Sequence, residues 1–194
     1  MKQMKDLKRF SKEWWNNYWF YYKWHTIAGV VVLALIIGTI VDVVTRINPD
    51  INIMIASQYV FSEEQLSEME VKISNAIDDI NNDNLKTVQI SSLNASIEPK
   101  DEMQMAARDK LYLEFAAGDS YIFFMDKALF DFYEREDMFQ ELIKEQNYIY
   151  ANELFDFMNE DMVMCVRMQR SNEKEADFAN TKKVIDAVLS GNLR

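Results

Sequence analysis

TIAGVVVLALIIGTIV, residues Thr26 to Val41, is a run of sixteen residues without a charge, close to the length and of the composition of a membrane-spanning helix. A helix rises about 1.5 Å per residue and a hydrocarbon core is about 30 Å thick, so roughly twenty residues complete a crossing. Trp24 and His25 before the run and Val43, Val44 and Thr45 after it supply the missing length and place Asp42 near the far interface. The competing reading is a buried helix of a soluble domain, and the flank argues against it. Trp14, Trp15, Tyr18, Trp19, Phe20, Tyr21, Tyr22 and Trp24 fall within eleven residues, and all four tryptophans of the chain are among them. Indole and phenol rings join an apolar body to a polar edge and favour the headgroup layer. Trp14, Trp15, Trp19, Tyr21, Tyr22 and Trp24 are therefore the expected membrane-interface residues.

Charge sets the expected orientation. Residues 1–25 carry six basic and two acidic residues, a net of +4, whereas the rest of the chain carries fifteen basic and thirty acidic, a net of −15. Basic residues beside a span are retained on the cytoplasmic side, which predicts an amino terminus inside and residues 46–194 outside. A cleaved signal peptide is the rival reading. The long charged and aromatic lead, and the lack of an A-x-A cleavage pattern after the run, favour an uncleaved signal anchor. No cysteine near the end of the run offers a lipoprotein anchor. The expected organisation is a cytoplasmic basic and aromatic lead over 1–24, a transmembrane helix over 25–45 and an extracytoplasmic α/β domain over 46–194. The lead, with rings near helical spacing and lysines between them, is expected to lie along the inner leaflet before turning in.

Within the span Ala34, Gly38 and Asp42 recur every fourth residue. Small residues at that spacing let helices approach closely; coincidence within an apolar run is the plain alternative to self-association through Ala34 and Gly38. The bilayer itself is the expected partner of residues 25–45, together with a protein partner outside. An outer net charge of −15 repels phosphate, so nucleic acid is not an expected partner. The chain's one cysteine, Cys165, forms no internal disulfide, which suits an extracytoplasmic protein of a bacterium that does not rely on disulfides.

Beyond the span, Pro49 disfavours helix at Asn48. INIMIAS (51–57), TVQISSL (87–93), SYIFFMD (120–126) and MVMCVRM (162–168) read as strands. Ser62 and Gln65 form an S-x-x-Q capping box before an apolar stripe of Leu66, Met69, Ile73, Ile77 and Ile80. Further helices are predicted from Asp101 to a stop at Gly118, across 127–135 and 138–146, and over 173–190 to Gly191; Asn147–Asn159 stays ambiguous. Strands alternating with helices predict an α/β domain with a mostly parallel sheet flanked by helices.

Little chemistry survives inspection. His25 is the sole histidine and sits in the span region, which removes histidine-based triads and multi-histidine metal sites from the outer domain. Cys165 lies in an apolar strand, where a thiol is inert. Asp79, Asn81 and Asp83 begin like a calcium loop, but Asn84 stands where glycine is needed and Ile90 where a bidentate glutamate is needed, so the segment reads as a polar turn. No catalytic residue, metal ligand or cofactor is expected. A hydrolase using two carboxylates remains the least supported option.

The run MAARDKLYLEFAAGDSYIFFMDKALFDFY, residues 105–133, resembles extracellular solute-binding proteins of ABC transporters, of the type 2 periplasmic-binding-protein fold. The resemblance lies in the turn Ala116–Asp119, the strand Tyr121–Asp126 and the short helix from Ala128 to Tyr133, and extends loosely over 51–190. It implies one lobe of such a receptor and, at the carboxyl ends of strands 51–57 and 120–126, a ligand site at Ser57, Gln58, Tyr59 and Asp126. Two functions follow as expectations. The first is a non-enzymatic, membrane-anchored domain acting in protein interaction or assembly at the cell surface; the alternative is a receptor-like, solute-binding domain associated with a transporter.

Overall fold

A computed structural model describes residues 11–45, 48–134, 138–143, 146–170, 173 and 175–193. The chain divides into two compact units, Met1–Ile47 and Asn48–Arg194.

Among its described residues the first unit holds one helix, α1 (Lys12–Thr45), of 34 residues. At 1.5 Å per residue it is about 51 Å long, more than a bilayer with its headgroup layers. It is long and apolar enough to cross a membrane, and none of its most apolar stretch is buried by the protein. The aromatic lead from residue 12 onward belongs to the same unbroken helix, so the expected turn at the inner leaflet does not form: 12–24 contains neither proline nor glycine to break it. Stacked rings at every fourth residue instead stiffen one face, Trp14 on Tyr18 and Tyr18 on Tyr22, each with centroids 5.5 Å apart. The Tyr18 hydroxyl meets Thr26 Oγ1 at 2.7 Å one turn further on.

The second unit runs β1 (Ile51–Ala56), α2 (Glu63–Ala76), β2 (Val88–Leu93), α3 (Glu102–Ala117), β3 (Ile122–Asp126), α4 (Lys127–Glu134), β4 (Tyr148–Tyr150), β5 (Met162–Val166) and α5 (Ala179–Leu189). The sheet order is β2-β1-β3-β5-β4. β1 pairs in parallel with β2, Ile53 opposite Ile90, and with β3, Ile55 opposite Phe124. β5 is antiparallel to both β3 and β4. Four strands therefore share a direction, the mostly parallel arrangement expected, and the sheet is mixed because β5 opposes them. The wholly buried run MVMCV announces a central strand covered on both faces, but burial carries no information about direction.

Alternation sorts the core onto two faces. Ile53, Ile55, Ile122, Phe124, Met162 and Met164 point to one side, beneath Met69 and Ile73 of α2 and Val184 and Val188 of α5. Met54, Phe123, Met125, Val163 and Cys165 point to the other, beneath Leu111 and Phe115 of α3 and Leu129, Phe130 and Tyr133 of α4. The capping box at Ser62 and Gln65 starts α2 as the spacing predicts. Gly118 stops α3 with φ −79° and ψ 169°; a Cβ there would meet the Glu114 carboxyl, which would have to swing aside. Gly191, at φ +77°, follows α5 in the left-handed conformation that favours glycine.

The helix expected over 138–146 is absent among its described residues. Phe139 bridges to Arg167 and Ile143 to Gln146, so the segment runs as an irregular edge leading into β4, the strand hidden in the ambiguous stretch. The last helix begins at Ala179, after a 3-10 turn at Glu175–Phe178.

Candidate functional site at the carboxyl end of the sheet

β1 and β3 are parallel neighbours, so their carboxyl ends lie side by side, and the residues immediately beyond them meet. Ser57 Oγ donates to Asp126 Oδ1 at 2.6 Å, and the Gln58 backbone N–H donates to Asp126 Oδ2 at 3.3 Å. The Ser57 oxygen also accepts the Tyr59 backbone N–H at 3.1 Å. Ser57, Gln58, Tyr59 and Asp126 are thus brought into one network, Tyr59 through its backbone while its ring stays exposed.

Two residues join them that the sequence reading omitted. Gln58 Nε2 donates to Ser96 Oγ at 3.3 Å, and Ser96 Oγ donates to the Glu98 carbonyl at 3.3 Å. Gln58, Ser96, Glu98 and Asp126 line an open cleft of about 260 Å³ together with Ile97, Ala128 and Leu129. The signal for Ser96 and Glu98 was available: β2 also ends at this edge, so the rule that placed a site beyond β1 and β3 extends to the segment after Leu93.

Burial pushes the Asp126 carboxyl above its ordinary value; the Ser57 hydroxyl and Gln58 N–H counter this, and Asp161 adds to it. Ser57 is buried, its proton given to Asp126 and its oxygen to Tyr59, so it ties the strand ends together. The arrangement is a small polar cleft with one half-buried carboxyl and one carboxamide, suited to holding hydrogen-bonding groups.

At the opposite end of the sheet a second cleft, of about 410 Å³, is lined by Asp50, Asn52, Asn81, Asp119, Arg170 and Thr181 among others. Thr181 Oγ1 is buried here without a hydrogen-bond partner. Beside it lies an ion cluster. Arg167, 2% exposed, places all five guanidinium N–H groups: on Ser120 O at 3.2 Å, Met168 O at 3.2 Å, Gly118 O at 3.3 Å and the two Glu173 oxygens at 2.9 and 3.4 Å. Its plane stacks on Tyr121, 4.5 Å away. Arg170 also bonds Glu173, and reaches Ala116 O and Gly118 O. Burial alone would raise the Glu173 carboxyl; the Arg167 and Arg170 bonds outweigh it and hold it down at about 2, against an ordinary 4.5. The visible signal was an arginine directly after an apolar strand, which requires a carboxylate partner.

The remaining candidates are placed as follows. Cys165 is wholly buried and its thiol is pushed well up by burial. The Asp79 carboxylate accepts backbone N–H groups of Asn82, Asp83 and Asn84, with Asn82 and Asn84 at positive φ, so it holds a polar turn. Trp15, Trp19, Tyr21, Tyr22 and Trp24 are exposed on α1, and Trp14 is half-buried; Ala34 and Gly38 lie exposed on the same helix.

Comparisons with known protein families, characterised proteins and solved structures yield no match to this chain. What fold and site define is a class: a mixed α/β unit joined to one amino-terminal apolar helix of membrane-spanning length.

Proposed function

We propose that this chain is a single-pass membrane protein whose basic, aromatic amino terminus faces the cytoplasm and whose α/β unit stands outside, acting without catalysis in protein interaction or assembly at the cell surface. The observation that carries the reading is α1: thirty-four residues of helix, apolar through their middle, left uncovered by the rest of the protein and followed at once by a folded unit. The net +4 of the lead and −15 of the remainder support the orientation. The outer unit holds no histidine, and its one thiol is sealed in the core, which supports a binding role over nucleophilic catalysis.

A second reading, a receptor-like solute-binding domain, is favoured by the Ser57–Asp126 network, since it lies where ligands of open α/β sheets bind. A thermal-shift screen of the full chain in detergent micelles against sugars, short peptides and metal ions separates the two. The interaction reading expects no small solute to raise the melting temperature of the α/β unit. A sugar raising it by several degrees, with the effect lost in Gln58→Ala, would hand the lead to the receptor reading.

A further inference from the structure

The outer edge of β2, the terminal strand of the sheet, lies opposite its β1 partner. Thr87 and Leu93 both give their carbonyls to the β1 side, to Asp50 N at 2.8 Å and Ser57 N at 3.1 Å. Backbone groups alternate sides along a strand, so Gln89 and Ser91 bond β1 while Val88, Ile90 and Ser92 turn their N–H and C=O outward. β2 is terminal in the sheet order, and none of the three makes a backbone bond outside the β1 ladder. Exposed edges are normally blunted by proline, lysine, a bulge or shortness, because unpaired groups recruit another strand. VQISSL has no proline and no charge, and its six residues pair with β1 in unbroken register.

Charge selects the occupant. The segment Phe61 to Asp101, which contains β2, carries nine carboxylates against three lysines. α2, packed over β2, exposes Glu63, Glu64, Glu68 and Glu70. A second copy would bring the same acidic surface and a further net −15 against this one. We infer that the β2 edge is a docking site for a basic, extended segment of a partner protein, added as a sixth strand against Val88, Ile90 and Ser92. Backbone pairing supplies the binding and the acidic surround selects lysine and arginine on the incoming strand. This names the surface and partner chemistry for the interaction role proposed above and rests on that role.

The test uses the full chain in detergent micelles and a fluorescein-labelled octapeptide of alternating lysine and valine, read by anisotropy. Saturable binding is expected, at least tenfold weaker for the glutamate–valine peptide and for the lysine–valine peptide in high salt. A docked strand turns alternate amides toward β2. N-methylating every second amide should therefore abolish binding in one phase and spare it in the other. Ser92→Pro, which removes an outward N–H and no ladder bond, should weaken binding at least tenfold while leaving Cys165 protected from thiol reagents. The inference is overturned if both methylated phases bind like the parent peptide, if the acidic peptide binds equally well, or if no peptide binds. It is also overturned if the chain self-associates through this edge and Ser92→Pro dissolves the dimer, since the occupant is then a second copy. If Ser92→Pro unfolds the domain, the methylated peptides decide alone. Failure here alongside a correct membrane topology removes the edge and leaves the anchored interaction domain standing.

Discussion

Replacing Glu173 by glutamine withdraws the anion from a buried arginine and should be among the costliest single changes in the α/β unit. Glu173 falls from an ordinary 4.5 to about 2 on folding. At about 1.4 kcal/mol per tenfold this difference contributes roughly 3 kcal/mol of stability at neutral pH. Its side chain is only 11% exposed and that of Arg167 3%, so solvent screens the pair weakly, and breaking a buried pair costs about 3–5 kcal/mol on general grounds. The sign follows from the lowered value: the contribution is complete above 4.5 and is lost as pH falls toward 2. The assay is urea denaturation of the full chain in micelles. All four tryptophans lie in α1, so opening of the α/β unit is read from labelling of buried Cys165 by a pyridyl disulfide, which reacts with thiols in acid as well as at neutral pH. Glu173→Gln should lose about 3 kcal/mol at pH 7, and its deficit should shrink as pH falls from 4.5 toward 2. A loss under about 1 kcal/mol, or a deficit that does not change with pH, would mean that the Glu173 ion pair does not supply this stability.

Asn180, 1% exposed, accepts Asp78 N–H at 2.9 Å and donates to Asp50 O at 3.1 Å and Asp78 O at 2.8 Å. Asn180→Ala strands these groups and should cost about 2–4 kcal/mol in the same denaturation assay. Phe123 is fully buried, its ring 4.6 Å from Phe115, so Phe123→Ala should cost about 3–5 kcal/mol and speed Cys165 labelling. Carboxyl titration by NMR should find Asp126 titrating above its ordinary 3.8 and Glu173 near 2; Ser57→Ala, which removes a bond to the Asp126 carboxylate, should raise Asp126 further.

The sequence was most informative where periodicity and composition act locally. The charge-free run with its aromatic flank announced α1, and the S-x-x-Q box placed the start of α2 at the right residue. The apolar runs INIMIA and IFFMD, read as strands, are β1 and β3. Ser57 and Asp126, 69 positions apart, could be paired in advance because parallel neighbours end together. What stayed hidden depends on long-range pairing. MVMCV shows burial but not that β5 runs backwards, since both faces are covered either way. β4 has three residues, too few for a period to register. Residues 138–146 carry helix-forming types, yet among those described Phe139 pairs with Arg167 and Ile143 with Gln146 in place of a helix. The Arg167–Glu173 pair could be anticipated from the demand of a buried charge, but the choice among many carboxylates is made by the fold.

On the reading proposed above, α1 is a tether with its amino terminus inside and residues 48–194 outside. Protease added to intact cells expressing the chain, with different epitope tags at its two ends, tests it most directly. The account predicts that the carboxyl-terminal tag is lost and the amino-terminal tag kept until the cells are opened. Protection of the carboxyl-terminal tag while the amino-terminal tag is cleaved would contradict it.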